Sequence, residues 1–229
     1  MCGRINLRAS PTELAEFFDL FRKPEWTPRY NLGPSQQILV VRQKIDGLRF
    51  AETLQWGLVP AWAKDPSIGA QMNNARSDTV TSKPAFRNAI QHRRCLIPAS
   101  GFYEWQHIDA KTKQPWHIFR SDGHPLAFAG LWEQFQLPDK SLLETCAVIT
   151  TDANDFMLVV HDRMPVILSK EDWNVWLAHH ELEPNVLSSL LVPAPNDVLQ
   201  KTPVSSFVNS VKNDSPECIH PIKAVRTLF

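Results

Sequence analysis

Short runs of β-forming residues, separated by turn residues, constrain the fold of this chain more than any other feature. Five such runs cover residues 95–98, 102–107, 116–120, 126–131 and 145–150. They do not alternate with long helices, so a doubly wound parallel sheet is not expected. We predict an α+β fold, in which an antiparallel sheet closes or nearly closes into a barrel-like core with helices at its periphery. The 18 prolines are spread along the chain, and with no repeat or linker this predicts a single domain over residues 1–229.

Two local patterns predict elements near the N-terminus. Residues 10–13, Ser-Pro-Thr-Glu, form a capping box with proline at the first helical position. They predict a helix over residues 11–21 that points four side chains inward: Leu14, Phe17, Phe18 and Phe21. The Asp46-Gly47 pair predicts a hairpin turn between strands at 38–41 and 48–55.

Four other segments complete the predicted organisation. Residues 57–75 have little periodicity and predict a long ordered loop, of the kind that is usually functional in compact domains. Helices are predicted near 84–91, after the capping residues 169–172, and near 184–191. Further strands are predicted near 199–204 and at the C-terminus.

Composition excludes several classes of protein. Lys and Arg together equal Asp and Glu at 24 each, so no overall positive field recruits nucleic acid. No apolar run approaches the roughly 20 residues of a membrane-spanning helix, and Arg4 and Arg8 interrupt any signal peptide. The four cysteines are widely spaced, which favours a reduced intracellular protein, and we expect it in the cytoplasm.

Cys2, directly after Met1, carries the most specific chemical signal. Removal of Met1 would leave Cys2 with an α-amine and a thiol two bonds apart, which no internal cysteine can offer. This pair can form an imine with an aldehyde and then close a thiazolidine ring, or its thiol can attack an amide carbonyl. From the tetrapeptide alone, a cysteine placed there by chance is an equal alternative.

Three further residues could complete a reactive site around Cys2. Asn74 ends the long loop and could donate to an oxyanion, Glu104 could shuttle protons from a half-apolar strand, and His161 could do so from a loop. In a strand, Glu104 would face away from Tyr103 and Trp105. Each residue also has a purely structural interpretation, as a turn, a surface carboxylate or a loop histidine.

Basic and aromatic residues cluster locally despite the neutral total. Residues 78–104 contain four cations between acids: Lys83, Arg87, Arg93 and Arg94. This suits a few phosphate contacts, and a solvated helix face is the alternative. Of eight tryptophans, Trp56, Trp62 and Trp105 could stack on bases, whereas Trp132, Trp173 and Trp176 are predicted to pack in the core. Cys218 and His220 lack partners at suitable spacing, so no metal site and no cofactor are predicted.

Taken together, these segments resemble the SOS response-associated peptidase (SRAP) family of abasic-site processing proteins. The matching pieces appear in the family's order and cover roughly residues 1–215: Met1-Cys2-Gly3-Arg4, Arg29-Tyr30-Asn31-Leu32-Gly33-Pro34, Trp56-Gly57-Leu58-Val59-Pro60-Ala61-Trp62, Asn74-Ala75-Arg76, Gly101-Phe102-Tyr103-Glu104-Trp105, Thr150-Thr151-Asp152-Ala153-Asn154, His161-Asp162-Arg163-Met164-Pro165, Pro203-Val204-Ser205 and Val211-Lys212-Asn213.

The resemblance implies a monomeric protein, associated with the nucleoid when bound, that captures abasic sites in single-stranded DNA. It implies that Cys2 forms the covalent link and that Asn74, Glu104 and His161 complete the active site. It further implies phosphate contacts from Arg4 and Arg76, and a DNA-shaping surface that includes Pro34 and Trp62. The chain departs from the family's pattern at Asp78, where a glutamate is frequent, and at Ala63, where some members have a second aromatic residue.

Two rival functions remain at this stage. An N-terminal-nucleophile amidohydrolase would use Cys2 on a glutamine amide, but such enzymes need a glycine beside the oxyanion-hole asparagine, and Asn74 is followed by Ala75. They also need an Arg-Gly-Pro-type segment near the N-terminus, where this chain has Arg4-Ile5. The other rival is a non-covalent single-stranded DNA binder in which Cys2 is incidental.

Overall fold

This computed structural model describes residues 2–224, which contain twelve strands and five short α-helices. The strands are β1 (Ile5–Leu7), β2 (Arg29–Leu32), β3 (Gln37–Gln43), β4 (Arg49–Trp56), β5 (Asn74–Arg76), β6 (Arg94–Ala99), β7 (Gly101–His107), β8 (Lys113–Arg120), β9 (Leu126–Gln136), β10 (Leu142–Asp152), β11 (Arg163–Pro165) and β12 (Leu199–Pro203). The helices are α1 (Pro11–Phe17), α2 (Ala89–His92), α3 (Asp155–Leu158), α4 (Trp173–Trp176) and α5 (Pro184–Leu190). None of these helices is long and apolar enough to cross a membrane.

A closed five-stranded barrel forms the core. Its strands follow the order β10, β4, β3, β6 and β9, and β9 closes the ring by pairing with β10. The predicted Asp46-Gly47 turn joins β3 to β4, with Gly47 at φ +87°. The predicted α+β fold with a closed sheet and peripheral helices is therefore confirmed. The pairing is antiparallel except where β10 runs parallel to β4 and to β5.

Strand β10 changes both of its neighbours along its length. Thr145 and Cys146 pair with β4, whereas the next residues, from Val148 to Thr150, pair with β5. On the other edge, β9 pairs as far as Val148 and β11 takes over from Thr150. The C-terminal part of β10, from Val148 to Asp152, therefore extends beyond the barrel and pairs with β5 and β11.

A second sheet of five strands, in the order β12, β8, β7, β1 and β2, covers this barrel. Ile5 of β1 pairs with Phe102 of β7, and both side chains are fully buried. The Phe102 ring meets the ring of Phe128 from barrel strand β9 edge to face, with centroids 5.8 Å apart. This apolar contact brings the N-terminal strand against the barrel.

The capping box at the start of α1 is present as predicted, but the helix is shorter. Ser10 Oγ accepts from the backbone N of Glu13 at 3.2 Å, and the Glu13 carboxylate accepts from the backbone N of Ser10 at 2.7 Å. The helix ends at Phe17 rather than at residue 21, because Asp19 takes a left-handed conformation at φ +53°. The inward position predicted for Phe21 is wrong, since 47% of this residue is exposed.

Two of the three remaining predicted helices are also shorter, whereas the helix predicted near 184–191 is confirmed as α5. Residues 84–91 yield only α2, and the segment after Ser169 begins with the 3-10 turn Lys170–Asp172 before α4. Trp173 and Trp176 of α4 are buried in the core as predicted, whereas Trp132 is half-buried beneath the guanidinium of Arg42. The end of the strand predicted at the C-terminus lies outside the described residues.

Residues 57–75, predicted as a loop, contain the 3-10 helix Pro66–Gln71 and end in β5. Two glycines hold this segment against itself. Gly57 has φ +132°, and a Cβ on it would lie 2.5 Å from the backbone oxygen of Gly69. Leu58 then donates its backbone N–H to Met72 at 3.0 Å, and the Trp56 indole donates to Asn73 at 2.8 Å. The glycine contact thus sets where β5, and with it Asn74, meets the barrel.

Replacing Gly57 with alanine should therefore destabilise the protein more than a glycine substitution in open space. Gly123→Ala is the matched control, because Gly123 has φ +80° but nothing lies within 4 Å of its added Cβ. We expect the control to lose about 1–2 kcal/mol through backbone strain. Gly57→Ala should lose about 1–3 kcal/mol more through overpacking. Urea denaturation measures both values, and equal losses would show that the Gly57–Gly69 contact does not constrain the segment.

Candidate active site

The start of β1 places Cys2 beside the strand that carries Glu104. Arg4 O accepts from the backbone N of Tyr103 at 2.9 Å, so the chain before Arg4 continues alongside Glu104. Cys2 is fully buried in the apolar cluster between the sheet and the barrel, which also contains Trp56 and Cys146. Met1 lies outside the residues that the structure describes.

Burial controls the reactivity of the Cys2 thiol. Desolvation raises the pKa of this thiol well above its usual range, and the nearby charge of Glu104 raises it further. The thiol is therefore protonated at neutral pH, and it becomes a nucleophile only when a neighbouring group accepts its proton.

Asn74 joins Cys2 to the barrel. It lies on β5, where it pairs with Val148 of β10, and its Nδ2 donates to the backbone oxygen of Cys2 at 2.8 Å. Its Oδ1 is buried, and within residues 2–224 no group donates a hydrogen bond to it. Because buried acceptors are rarely left unpaired, this oxygen marks a position suited to a hydroxyl of a bound molecule.

Glu104 is a buried carboxyl, with 4% of the residue exposed. It shares its side of β7 with Phe102, while Tyr103 and Trp105 belong to a separate cluster, as the strand alternation predicts. Burial raises the pKa of the Glu104 carboxyl, and the charge of His161 acts in the opposite direction. Glu104 thus lies near both Cys2 and His161, although the three residues come from distant parts of the sequence.

The backbone orients the His161 ring. Arg163 donates its backbone N–H to His161 Nδ1 at 2.9 Å, and Asp162 Oδ1 lies 2.9 Å from the same nitrogen. In the neutral ring, the backbone bond leaves the proton on Nε2. When the ring is protonated, Nδ1 can instead donate to Asp162. A backbone N–H and a carboxylate therefore both lie at Nδ1 and fix the orientation of the ring.

The candidate DNA contacts lie in different surroundings. Arg76 is exposed at the end of β5, where Asp78 accepts from its Nε at 3.1 Å and its Nη2 at 2.8 Å. Trp62 is 60% exposed, and its indole lies 3.4 Å from the backbone oxygen of Pro84. Pro34 is half-buried and follows β2. Arg76, Trp62 and Pro34 remain predicted contacts.

Arg4 is more engaged within the protein than a dedicated phosphate contact would require. Its Nη1 donates to Asn31 Oδ1 at 2.9 Å and to Val208 O at 2.6 Å, and its guanidinium lies 5.5 Å from the Trp105 ring. Burial lowers the pKa of Arg4. Arg4 therefore anchors the 206–209 turn, and a phosphate contact would use its remaining N–H groups.

Two of the four clustered cations have structural roles. Arg93 pairs with the buried Glu133. Arg94 donates to backbone oxygens, among them those of Trp176 at 2.7 Å and Ile90 at 2.8 Å. Lys83 and Arg87 remain exposed on the segment that contacts Trp62. Only this half of the cluster is available to a phosphate.

Sequence reasoning gave no role to Arg163 or Asn31. Arg163 is buried on β11, where it pairs with Asp152 and donates from Nη2 to Thr150 O at 2.7 Å. Asn31 Nδ2 bonds to three backbone oxygens of the segment that covers β2, those of Val208, Ser210 and Asn213. Both residues occur in the motifs quoted above, but only their burial shows what they hold.

Metal chemistry has no obvious site in residues 2–224, where no group of three His, Cys, Asp or Glu side chains is arranged to hold an ion. The arrangement instead combines a neutral thiol, a buried acid, an oriented imidazole and a buried amide oxygen. Such a set can move protons to and from an electrophilic carbon placed next to Cys2.

Comparison with known proteins identifies related sequences. A sequence model of the family described as "SOS response associated peptidase (SRAP)" matches residues 1–211. Abasic site processing protein YoaM of Bacillus subtilis is 44% identical over 222 residues, covering 96% of this chain and 97% of the relative. Abasic site processing protein HMCES of Gallus gallus is 34% identical over 239 residues, covering 88% of this chain and 70% of the relative.

Solved structures show the same fold. A crystal structure of a protein from Bacteroides thetaiotaomicron superposes with a TM-score of 0.87 at 24% identity, covering 96% of this chain and all of the other. One from Bordetella bronchiseptica superposes with a TM-score of 0.77 at 25% identity, covering 89% of this chain and all of the other.

The burial of Glu104 generates a prediction about stability and pH. Since burial raises the pKa of Glu104 in the folded protein, the contribution of this group to stability is most favourable below about pH 4.3, the ordinary glutamate value, and is lost as pH rises through the folded value. Glu104→Gln removes that loss. The melting temperature of the variant, relative to the unmodified protein, should therefore increase from pH 4 to pH 8.

Glu133→Gln provides the control for this measurement. Glu133 is also buried but is paired with Arg93, so its replacement should destabilise the protein through the loss of that pair. A constant difference in melting temperature between Glu104→Gln and the unmodified protein across this pH range would contradict the burial argument.

Proposed function

The chain belongs to the SOS response associated peptidase (SRAP) family, and we propose that it captures abasic sites in single-stranded DNA as a covalent thiazolidine. Cys2 forms the link after Met1 has been removed. Family membership and the names of the relatives support processing of abasic sites in the response to DNA damage. The finer assignment depends on one observation: the buried carboxyl of Glu104 lies next to the buried thiol of Cys2.

The first step is formation of an imine. An opened abasic deoxyribose has an aldehyde at C1′, and the α-amine of Cys2 adds to that carbon to give a carbinolamine. Loss of its hydroxyl as water requires a proton. Glu104, whose pKa burial raises, retains its proton at a higher pH than an ordinary carboxyl and can supply it.

The second step closes the ring. The Cys2 sulfur bonds to C1′, the imine double bond becomes a C–N single bond, and the thiol proton is transferred to the nitrogen. The overall reaction joins the aldehyde and the aminothiol and releases one water. Because the thiol is neutral in its buried site, the Glu104 carboxylate left by the first step, or His161, relays this proton. A thiazolidine cannot undergo the β-elimination that an imine promotes, so the strand stays intact.

Positioning completes the mechanism. The Asn74 Oδ1 atom, for which residues 2–224 supply no donor, accepts from a hydroxyl of the opened sugar. Arg76, with Arg4, holds the flanking phosphates, and Trp62 and Pro34 shape the strand beside the lesion. Holding the aldehyde over Cys2 converts a bimolecular capture into a local reaction. In this proposal the protein acts as a single domain and a monomer.

The amidohydrolase alternative is less well supported. An oxyanion hole needs a donor that points at the substrate, but the hydrogen bond that Asn74 Nδ2 makes is directed at the backbone oxygen of Cys2. Removal of Met1 by the protein itself is compatible with the proposal, as is removal by a cellular aminopeptidase. Incubation with glutamine distinguishes an amidohydrolase from a protein that captures abasic sites, because only the amidohydrolase releases ammonia.

Replacing Cys2 with alanine should abolish the stable crosslink. The variant keeps an α-amine after loss of Met1, so it can still form an imine, which borohydride traps, and can still nick the strand. The measurement is a denaturing gel with an abasic oligonucleotide, together with the intact mass of the protein. For the unmodified protein, the mass should show loss of Met1 and an adduct heavier by the mass of the oligonucleotide minus one water.

Cys218→Ala is the matched control, since Cys218 is a second buried cysteine, in a different cluster from Cys2, and its loss should leave the crosslink unchanged. An adduct of equal stability from Cys2→Ala would refute ring closure. Absence of any covalent species from the unmodified protein would favour the non-covalent binder.

Slower crosslinking is expected for Glu104→Gln, with affinity for undamaged DNA retained. The glutamine keeps the shape of the side chain but cannot donate or accept the transferred proton. Single-turnover crosslinking between pH 5 and 8 should show a rate about a hundredfold lower, at the lower end of the usual contribution of general acid catalysis. A rate and pH profile equal to those of the unmodified protein would assign the proton transfer to His161 alone.

A further inference from the structure

Arg76, one of the predicted DNA contacts, is already paired with a carboxylate. Arg76 meets Asp78 through two parallel hydrogen bonds, Nε to Oδ1 at 3.1 Å and Nη2 to Oδ2 at 2.8 Å. About half of each side chain is exposed, 48% for Arg76 and 50% for Asp78. A DNA phosphate would use the same two-point geometry on a guanidinium. Asp78 therefore occupies one of the two-point donor edges that the Arg76 guanidinium can offer to a phosphate.

The same pattern surrounds Arg76. Arg76 lies opposite Thr150 of β10, and Arg163 lies opposite Asp152 on the other edge of that strand. Arg163 pairs with Asp152, and His161 Nδ1 lies 2.9 Å from Asp162. Asp152 and Asp162 are mostly exposed, at 84% and 83% of their side chains. Their charges and that of Asp78 all act on Arg76, whose pKa they raise.

Breaking an exposed ion pair of this kind requires little free energy. Surface salt bridges contribute little to stability, because water and salt screen them and both side chains lose freedom. A phosphate can thus replace Asp78 on Arg76. The displaced carboxylate, however, stays near the incoming strand and repels it, so the gain in binding is reduced.

We propose that Asp78 serves as an internal substitute for a DNA phosphate on Arg76, so that undamaged single strands bind weakly and selection of the abasic site depends on covalent capture. This inference rests on the proposed function and adds a specificity-determining residue to it. A protein that reacts with one rare aldehyde benefits from leaving intact strands quickly. Asp78 weakens binding to every strand, whereas the bond through Cys2 retains only the damaged one.

A purely positioning role for Asp78 predicts the opposite result. If the carboxylate served to hold the Arg76 guanidinium toward DNA, its removal would loosen the arginine and weaken binding. The two roles therefore differ in the sign of the effect on affinity for undamaged DNA.

The test is the affinity of Asp78→Asn for an undamaged oligonucleotide, measured by fluorescence anisotropy from 25 to 200 mM salt. Asparagine keeps the size of the side chain and removes its charge. We expect about three- to tenfold tighter binding at low salt. The slope of log K against log salt should steepen by about 0.7, the value for one further phosphate neutralised on a single strand. Unchanged or weaker binding would overturn the proposal.

Asp122→Asn is the matched control. Asp122 pairs with Arg120 in the same i, i+2 spacing, with Nε–Oδ1 at 2.8 Å and similar exposure, at the end of β8 remote from Arg76. It should leave affinity and salt slope unchanged. A gain equal to that of Asp78→Asn would show an effect of net charge alone and would overturn the proposal.

A double-mutant cycle tests whether Asp78 acts through Arg76. Arg76→Gln should weaken binding, and in that background the gain from Asp78→Asn should fall below about twofold. A full gain in the absence of Arg76 would mean that Asp78 simply repels DNA. That result would also overturn the proposal.

Competition links affinity to selection. Excess undamaged strand should slow crosslinking to an abasic oligonucleotide more strongly in Asp78→Asn than in the unmodified protein. Equal inhibition would contradict the proposed role in selection. Failure of the unmodified protein to crosslink would refute the proposed function, whereas the affinity measurement on undamaged DNA needs no covalent step and distinguishes the two failures.

Discussion

Strand β10 exchanges its neighbours near Val148, and the position of the candidate active site depends on that exchange. Below this point β10 closes the barrel between β4 and β9. From Val148 onward, the two edges of the same strand pair with β5 and β11, which carry Asn74 and Arg163. A strand that stayed within the barrel for its whole length would leave no edge for these residues. The hydrogen bond from Asn74 to the backbone of Cys2 then joins the N-terminal segment to β5 and β10.

Desolvation provides most of the chemistry at this site. An exposed cysteine and glutamate would both ionise more readily, and each would act alone. Buried side by side, both side chains favour their neutral forms, because a charge in an apolar cluster loses its hydration. The resting site therefore holds an acid and a masked nucleophile, which suits a reaction that first needs a proton donated and then one removed. The same burial lowers the stability of the folded protein at neutral pH, because the Glu104 carboxyl loses hydration when it ionises.

Charge at the surface follows a different rule. The chain is neutral overall, and charge is also balanced locally at Arg76 and Arg163, each of which lies beside an aspartate. Cations that appear as a cluster in the sequence are divided by the fold, since Arg94 binds backbone oxygens inside the protein while Arg87 stays in solvent. A count of basic residues thus overstates the charge that DNA can reach.

Sequence alone was sufficient wherever the determining interaction is local or the motif is long. The capping box, the Asp46-Gly47 turn and the alternation that separates Glu104 from Tyr103 involve neighbours in the chain, so the residues themselves predict them. The order of motifs from Cys2 onward was enough to indicate the family. Local patterns did not show where α1 ends, because Asp19 adopts a conformation that its own type does not require.

Only the tertiary structure decided which residues meet. Asn74 and Cys2 are 72 positions apart, and they are joined because β10 pairs with β5 beyond the barrel. The burial that raises the pKa of Glu104, the anchoring of Arg4 under the 206–209 turn and the pairing of Arg163 with Asp152 all arise from contacts between distant segments. Sequence determined the reactive groups of this protein, whereas the fold determined their protonation and their partners, because desolvation and Coulomb interactions depend on distances in space rather than along the chain.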